Sequence, residues 1–313
     1  MTFGTAGDNE ASTSVRLGTR GSKLSLWQAR WVAMRLASAL PGRRVEIVPI
    51  VTRGDVNQEP FTELTEAGVF TSELEVALVE GRIDLAVHSL KDLPVSAPTA
   101  PTAPAVLAVP VRADAADALV SRDGSTLATL RQGARVGTSS PRRTSLLLAV
   151  RPDVEIVPLR GNVDTRVQRL DEGVYDAIIL AVAGLERLGL ASRVSQRLDP
   201  RDFPPAPGQG AIAVQLGSAD AMLRAAGTTL DDVRAHATVD AERECLRVLG
   251  GGCSRPVGAY AAWNGDELEL TAVVGSIDGV TMLRKSGVGG DARDLGVRVA
   301  SDLIAAGADR LLS

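Results

Sequence analysis

Cysteine, histidine, lysine and aromatic residues are all scarce in this chain, and each shortage removes a class of function. Cys245 and Cys253 are too few for a disulfide framework or a cysteine-only zinc site. His88 and His236 add no metal-ligand spacing to them. Aromatics make up 3% of the residues and the net charge is −4, so there are few platforms for stacked bases and no general attraction for nucleic acid. No apolar run reaches the roughly 18 to 20 residues of a membrane span. The opening residues, MTFGTAGDNEASTS, have neither a basic start nor an apolar signal core, and residues 1–14 read as a disordered tail on a cytoplasmic protein. Nucleotide signatures are missing as well. GTRGSKLS fails the phosphate-loop spacing, which needs four residues between the glycine and the following Gly-Lys-Ser/Thr, and no G-x-G-x-x-G turn follows the first strand.

What is present is length, apolar content and arginine. A chain of 313 residues with 45% hydrophobic content has too much core for one ordinary domain and points to two or three. Only Lys23, Lys91 and Lys285 are lysines, so 31 of the 34 basic residues are arginines. Arginine grips carboxylates with a planar fork, and a GC-rich genome gives the same bias without function, so position has to decide between the two.

Along the chain, Val15 to Thr19 reads as a strand, and Arg20-Gly21-Ser22 opens a helix carrying Leu24, Trp27, Trp31, Met34 and Leu36 at mostly helical spacing, with the tryptophans expected in the core. Val45 to Val51 is a second strand ending in TRGD. A polar loop from Asn57 to Gly68 and a helix from about Phe70 to Glu80 lead into GRIDLAVHSLKDLP. There Ile83, Leu85 and Val87 have strand character, and Ser89, Lys91 and Asp92 follow where a parallel strand would deliver its carboxyl end into a crevice. A lone aspartate in that place is more often a turn former than a catalyst. Proline-rich 96–105 is a linker, after which the pattern restarts.

Arg135 to Thr138 is a strand, and Ser139-Ser140-Pro141 is a helix start with hydroxyls at the cap. Arg142 and Arg143 lie in that first turn, where positive charge opposes the helix dipole unless an anion is bound. Val154 to Leu159 leads to Arg160-Gly161-Asn162 and a helix carrying Arg166, and Asp176 to Val182 leads to Arg187. Four strand ends in two similar halves thus carry Arg20, Arg142 with Arg143, Arg160 with Arg166, and Arg187, a set that suits a polyanion-binding cleft between two domains. The prolines of PPAPGQGAIAVQ mark a second crossing, so the first domain is expected to be discontinuous. A helix from about Leu230 to Leu249 ends in Gly250-Gly251-Gly252-Cys253. Cys245 reads as inert core, and Cys253 as a thiol on a loop open to close approach. Residues Val257 to Ser286 read as antiparallel strands and Ala292 to Ala306 as a terminal helix.

The stretches LGTRGSKLSLWQA, VTRGD, AVHSLKDLP, VGTSSPRR, LRGNVDTR, YDAIILAVAGLERLG, PAPGQGA and ECLRVLGGGCSRPVGAY, in that order and spacing, resemble the porphobilinogen deaminase (hydroxymethylbilane synthase) family across nearly the whole chain. The resemblance implies an α/β protein of three domains: two periplasmic-binding-protein-like lobes on a hinge and a small α+β domain. The expected bounds are 15–109 with 205–228, 110–204, and 229–313. It implies a transferase of tetrapyrrole biosynthesis that condenses four porphobilinogen molecules head to tail, releasing ammonia each time, onto a dipyrromethane cofactor joined to Cys253 by a thioether. Asp92 matches the catalytic aspartate, which would stabilise the cations formed on deamination and ring attack. Ser89, Lys91, Asp92, Thr138, Ser139, Ser140, Arg142, Arg143, Arg160 and Gly161 match cofactor-holding positions, and Arg20, Ser22, Arg160, Arg166 and Arg187 match substrate-holding ones. A cytoplasmic monomer without metal, nucleic acid or membrane is implied. One departure is the loop TEAGVF, where Ala67 stands in place of a lysine that many members carry in a cleft lid. Against this reading stand a non-catalytic solute-binding protein, which has no use for Gly-Gly-Gly-Cys, and a cysteine hydrolase, which lacks a partnering histidine.

Overall fold

In the computed structural model the described residues are 14–52, 72–95, 104–217, 220–252 and 254–312. The TRGD residues 53–55, the loop at 57–68 with Ala67, most of the proline-rich linker, the tail before residue 14 and Cys253 lie outside them. Two five-stranded sheets form two α/β lobes. The first joins β1 (Ser14–Arg20), β2 (Arg44–Ile50), β3 (Leu85–Ser89), β4 (Ala105–Ala108) and a strand from much later, Ile212–Leu216. The second joins β5 (Asp117–Ser121), β6 (Arg135–Gly137), β7 (Glu155–Val157), β8 (Ala177–Ala181) and β9 (Gln196–Leu198). With Ile212–Leu216 as β10, the orders are β2-β1-β3-β10-β4 and β7-β6-β8-β5-β9. The build is the same in both: three parallel strands, then one antiparallel strand, β10 or β5, that the chain enters directly after crossing between lobes.

Helix α1 (Lys23–Ala39) covers the first sheet with Ala29, Val32 and Leu36, spaced to share one face. The expectation that the two tryptophans are core holds only in part. Both tryptophans are half-buried and Met34 is 64% exposed. Trp31 packs at the edge of the first lobe's core, and both tryptophans line a hinge-side cavity of about 1010 Å³. The later helix also starts later than expected. Asp232 caps it, accepting from the Ala235 N–H at 2.8 Å, and a separate helix, Ala221–Thr228, precedes it.

The third unit is an antiparallel sheet of β11 (Val257–Asn264), β12 (Glu267–Gly275) and β13 (Met282–Gly289) under helices Val233–Val248 and Ala292–Ala305. Cys245 is fully buried in its core, and burial pushes its thiol up to about 12, in keeping with an inert residue. Among the described residues no helix is long and apolar enough to cross a membrane.

The two crossings, near 109–116 and 204–211, run against each other, the second passing through a turn at 207–210. Gly210 has φ +86, and a Cβ there would stand 2.6 Å from the Ala113 carbonyl oxygen, so only glycine permits this approach. All three units meet at Arg112 and Glu242. Arg112 donates to both Glu242 oxygens at 2.7 and 3.0 Å and to the Gln209 carbonyl at 2.9 Å. Glu242, fully buried, also accepts from the Gly208 and Ala261 N–H groups at 2.7 and 2.8 Å. Because a buried carboxylate with every lone pair filled leaves stranded donors when removed, Glu242→Ala should lower unfolding stability by about 3 to 5 kcal/mol. Urea unfolding measures it, and a loss under about 1 kcal/mol would contradict this account.

Candidate active site

The site grows from the end of β3. That strand is buried until Ser89, then a 3-10 turn, Leu90–Asp92, closes with the Leu93 N–H donating to the Leu90 carbonyl at 3.1 Å, and Pro94 ends it. Two neighbours hold this turn. The Leu90 N–H donates to the Ala211 carbonyl at 3.0 Å. Arg243, from the helix that runs toward residue 253, donates to the carbonyls of Leu90, Leu93 and Pro94 at 3.3, 2.9 and 2.7 Å. Asp92 is therefore presented by a fixed turn rather than a loose loop. Ser89 accepts from Gln28 Nε2 at 3.0 Å, which ties it to α1. Lys91 Nζ donates to Gln209 Oε1 at 3.2 Å. Burial above all, then the charge of Arg143, lowers the Lys91 ammonium to about 8, against the pull of Asp92 and Asp117.

The second lobe faces this turn with its own strand ends. Thr138 is buried after β6, its hydroxyl accepting from the Ser140 N–H at 3.2 Å. Ser140 caps helix Pro141–Val150 by accepting from the Arg143 N–H at 3.4 Å. The Ser139 hydroxyl both donates to the Leu159 carbonyl and accepts from its N–H, at 3.1 and 3.0 Å, and so staples β6 to the end of β7.

The anion expected beside Arg142 and Arg143 is internal. Asp117, fully buried at the start of β5, accepts from Arg142 Nη2 at 2.8 Å and from Arg143 Nε and Nη2 at 3.1 and 2.6 Å. The two guanidinium groups outweigh burial and hold its carboxyl far below the usual range. Arg142 Nε, also buried, has no partner.

Gly161, at φ +106, opens the turn after Arg160, and Arg166 Nε donates to its carbonyl at 2.7 Å. Burial and then Arg143 lower Arg166 to about 10, with Asp92 opposing and Arg160 adding to the effect. Lys91, Asp92, Arg142, Arg143, Arg160 and Arg166 are thus drawn into one electrostatic neighbourhood. On the first lobe's side, Ser22 caps α1, accepting from the Ser25 N–H at 3.2 Å, and Arg20 ends β1 beside His88. Lys23 on α1 reaches across to Asp164 of the second lobe at 2.8 Å, an exposed pair of small energetic weight.

Arg187 lies elsewhere. It ends helix Val182–Arg187, donates to the Gly210 carbonyl at 2.7 Å, and sits 5.7 Å from the Trp27 ring in the hinge-side cavity. Sequence reasoning did not single out Asp117, Gln209 or Arg243. A charge inside the apolar run DALVS was the available sign of Asp117. Among the described residues no His, Cys, Asp and Glu are grouped to hold a metal.

A cationic neighbourhood around Asp92 and Asp117, set where two α/β lobes of identical strand order meet, marks the candidate site of a two-lobed α/β protein. The model of the family "porphobilinogen deaminase, dipyromethane cofactor binding domain" matches residues 15–225, and that of the porphobilinogen deaminase C-terminal domain matches 236–305. A porphobilinogen deaminase of Stenotrophomonas maltophilia is 48% identical over 303 residues, 96% of this chain and 99% of that protein. One of Roseiflexus castenholzii is 47% identical over 304 residues, with the same two coverages. The chain belongs to the porphobilinogen deaminase family, transferases of tetrapyrrole biosynthesis.

His88 provides a test of the buried polar packing beside Arg20. It is 5% exposed, and burial, opposed by a hydrogen bond with Gln215 and helped by the Arg20 charge, lowers it from the ordinary 6.5 to about 4. The unfolded chain therefore takes up a proton below 6.5 while the folded chain stays neutral until about 4, so stability is lost as pH falls through that window. Relative to wild type, His88→Leu should gain about 2 to 3 kcal/mol on going from pH 7 to 4.5. Urea titrations at both pH values read the difference, and a gap independent of pH would contradict the neutral imidazole.

Proposed function

We propose that this chain adds four porphobilinogen units head to tail onto a dipyrromethane held by a thioether to Cys253, releases ammonia at each addition, and frees linear hydroxymethylbilane by hydrolysis. The observation that carries the reading is the gathering of charge about Asp92: five cations, Lys91, Arg142, Arg143, Arg160 and Arg166, share one neighbourhood with Asp92 and Asp117. Each pyrrole of such a chain carries two carboxylates, so a bound oligopyrrole supplies the missing negative charge. The unpartnered, buried Arg142 Nε fits the same demand for an added acceptor.

When bound, the dipyrromethane supplies the terminal pyrrole carbon at which each unit is joined. The residues of this chain bind and orient. Arg160 and Arg166 with the start of α1 at Ser22 and Arg20 hold the carboxylates of the incoming unit, while Ser89, Lys91, Thr138, Ser139, Ser140, Arg142, Arg143 and Gly161 hold those already attached. Arg187 belongs to this set by its motif and acts from the hinge. Asp92, fixed on its turn, faces the positive charge that develops on the substrate pyrrole as ammonia leaves, and accepts the proton lost when the new carbon–carbon bond forms. Domain bounds of 15–109 with 205–228, 110–204 and 229–313, a monomeric state and a cytoplasmic location complete the reading. Neither nucleic acid nor membrane is a partner.

Two measurements test it. After incubation with porphobilinogen, the intact mass of the wild-type chain should rise by two deaminated units while Cys253→Ala gains no stable adduct. A wild type that takes up no mass would overturn the reading. Asp92→Asn should retain that added mass and turn over about 10²- to 10³-fold more slowly. Near wild-type turnover in the loaded variant would remove Asp92 from the chemistry.

A further inference from the structure

Gln209 is 1% exposed and lies in a turn of the second crossing, inside the stretch PAPGQGA. Its amide carries more contacts than a packing role requires. Nε2 donates to the Ala115 carbonyl at 2.8 Å, to the Ala116 carbonyl at 3.3 Å and to Asp117 Oδ1 at 2.9 Å. Oε1 accepts from Lys91 Nζ at 3.2 Å. This orientation is chemically determined, because turning the amide over would set its oxygen against two carbonyls and a carboxylate and its NH₂ against an ammonium. One side chain thus joins the catalytic turn of the first lobe to the carboxylate that neutralises Arg142 and Arg143 in the second. Its own carbonyl accepts from Arg112, which is locked to Glu242, so the turn beneath the amide is held in place.

We propose that Gln209 is a positioning residue that fixes the Lys91 ammonium beside Asp92 and registers it against the Asp117–arginine network of the other lobe. Its bearing on turnover rests on Lys91 acting as a grip for bound carboxylates. Among the described residues, the charges that act most strongly on Lys91 include Asp92 from its own turn, Asp117 from β5, and Arg142 and Arg143 from the helix after β6. Two cations and burial oppose the ammonium, and the Gln209 carbonyl is a neutral acceptor that favours it. Removing that acceptor at constant volume makes the ammonium harder to keep, and replacing it with a carboxylate makes it easier.

The chain has three lysines, so Lys91 can be titrated by itself. Trace acetylation of the purified full-length protein with acetic anhydride between pH 6 and 11, read by mass spectrometry of proteolytic peptides, gives the ionisation of Lys91 with Lys23 and Lys285 as internal references. Wild-type Lys91 should titrate near 8. In Gln209→Met the midpoint should fall by about one pH unit, and in Gln209→Glu it should rise by a similar amount. Equal midpoints in all three proteins overturn the proposal, as does displacement in the same direction in both variants, which is what a loosened hinge would give. The high-pH limb of porphobilinogen consumption should follow the lysine. A displaced lysine with an unmoved limb leaves the positioning intact and counts against Lys91 as a carboxylate grip. Failure of the protein to acquire the dipyrromethane mass is read separately, and the lysine titration decides Gln209 regardless of it.

Discussion

Two guanidinium groups buried side by side repel each other, and without a carboxylate between them the first turn after Ser140 could not stay folded against β5. Asp117 is that carboxylate. Pairing buried charge is needed before any specificity can be gained from it, since the desolvation of each ion is several kcal/mol. Once Asp117 is in place, the position of the arginines, the orientation of the Gln209 amide and the location of the Lys91 ammonium follow in sequence. The site is therefore assembled from its buried anion outward, and ligand-facing charge is what remains after internal neutralisation.

The strand ends were legible because each obeys local rules. Ser140-Pro141 starts a helix where the cap and proline chemistry require one, and the turn after Ser89 ends at Pro94. Motif order made the family legible as well. What escaped was non-local. Asp117 lies 25 and 26 residues from the arginines it serves, Gln209 lies 118 from Lys91, and Arg243 lies 150 from Leu93, so no window of sequence contains both partners. Trp27 of α1 misled for a related reason: helical spacing tells which residues share a stripe, not which stripe meets the sheet. Arg187 shares its motif with a substrate-holding set, yet its guanidinium is drawn to a hinge carbonyl.

Identical strand order in the two lobes explains why the cationic residues converge. In each sheet the parallel strands deliver their carboxyl ends to the same edge, and the antiparallel strand begins at the crossing. Facing the two edges toward each other brings strand ends from both halves to a single gap. Arg243 adds the third unit to this arrangement, because the helix that holds the Asp92 turn by its carbonyls is the one that runs on toward the glycines before residue 253.

The late arrival of β10 has a consequence for synthesis. This strand lies between β3 and β4, yet it is made only after every strand of the second lobe, from Asp117 to Leu198, has been translated. Until then β4 has no neighbour and β3 shows an open edge, so the nascent first lobe exposes ladder groups while the second lobe can already close its own sheet. The biogenesis order is thus the reverse of the sequence order, with the inserted lobe completed before the lobe that surrounds it.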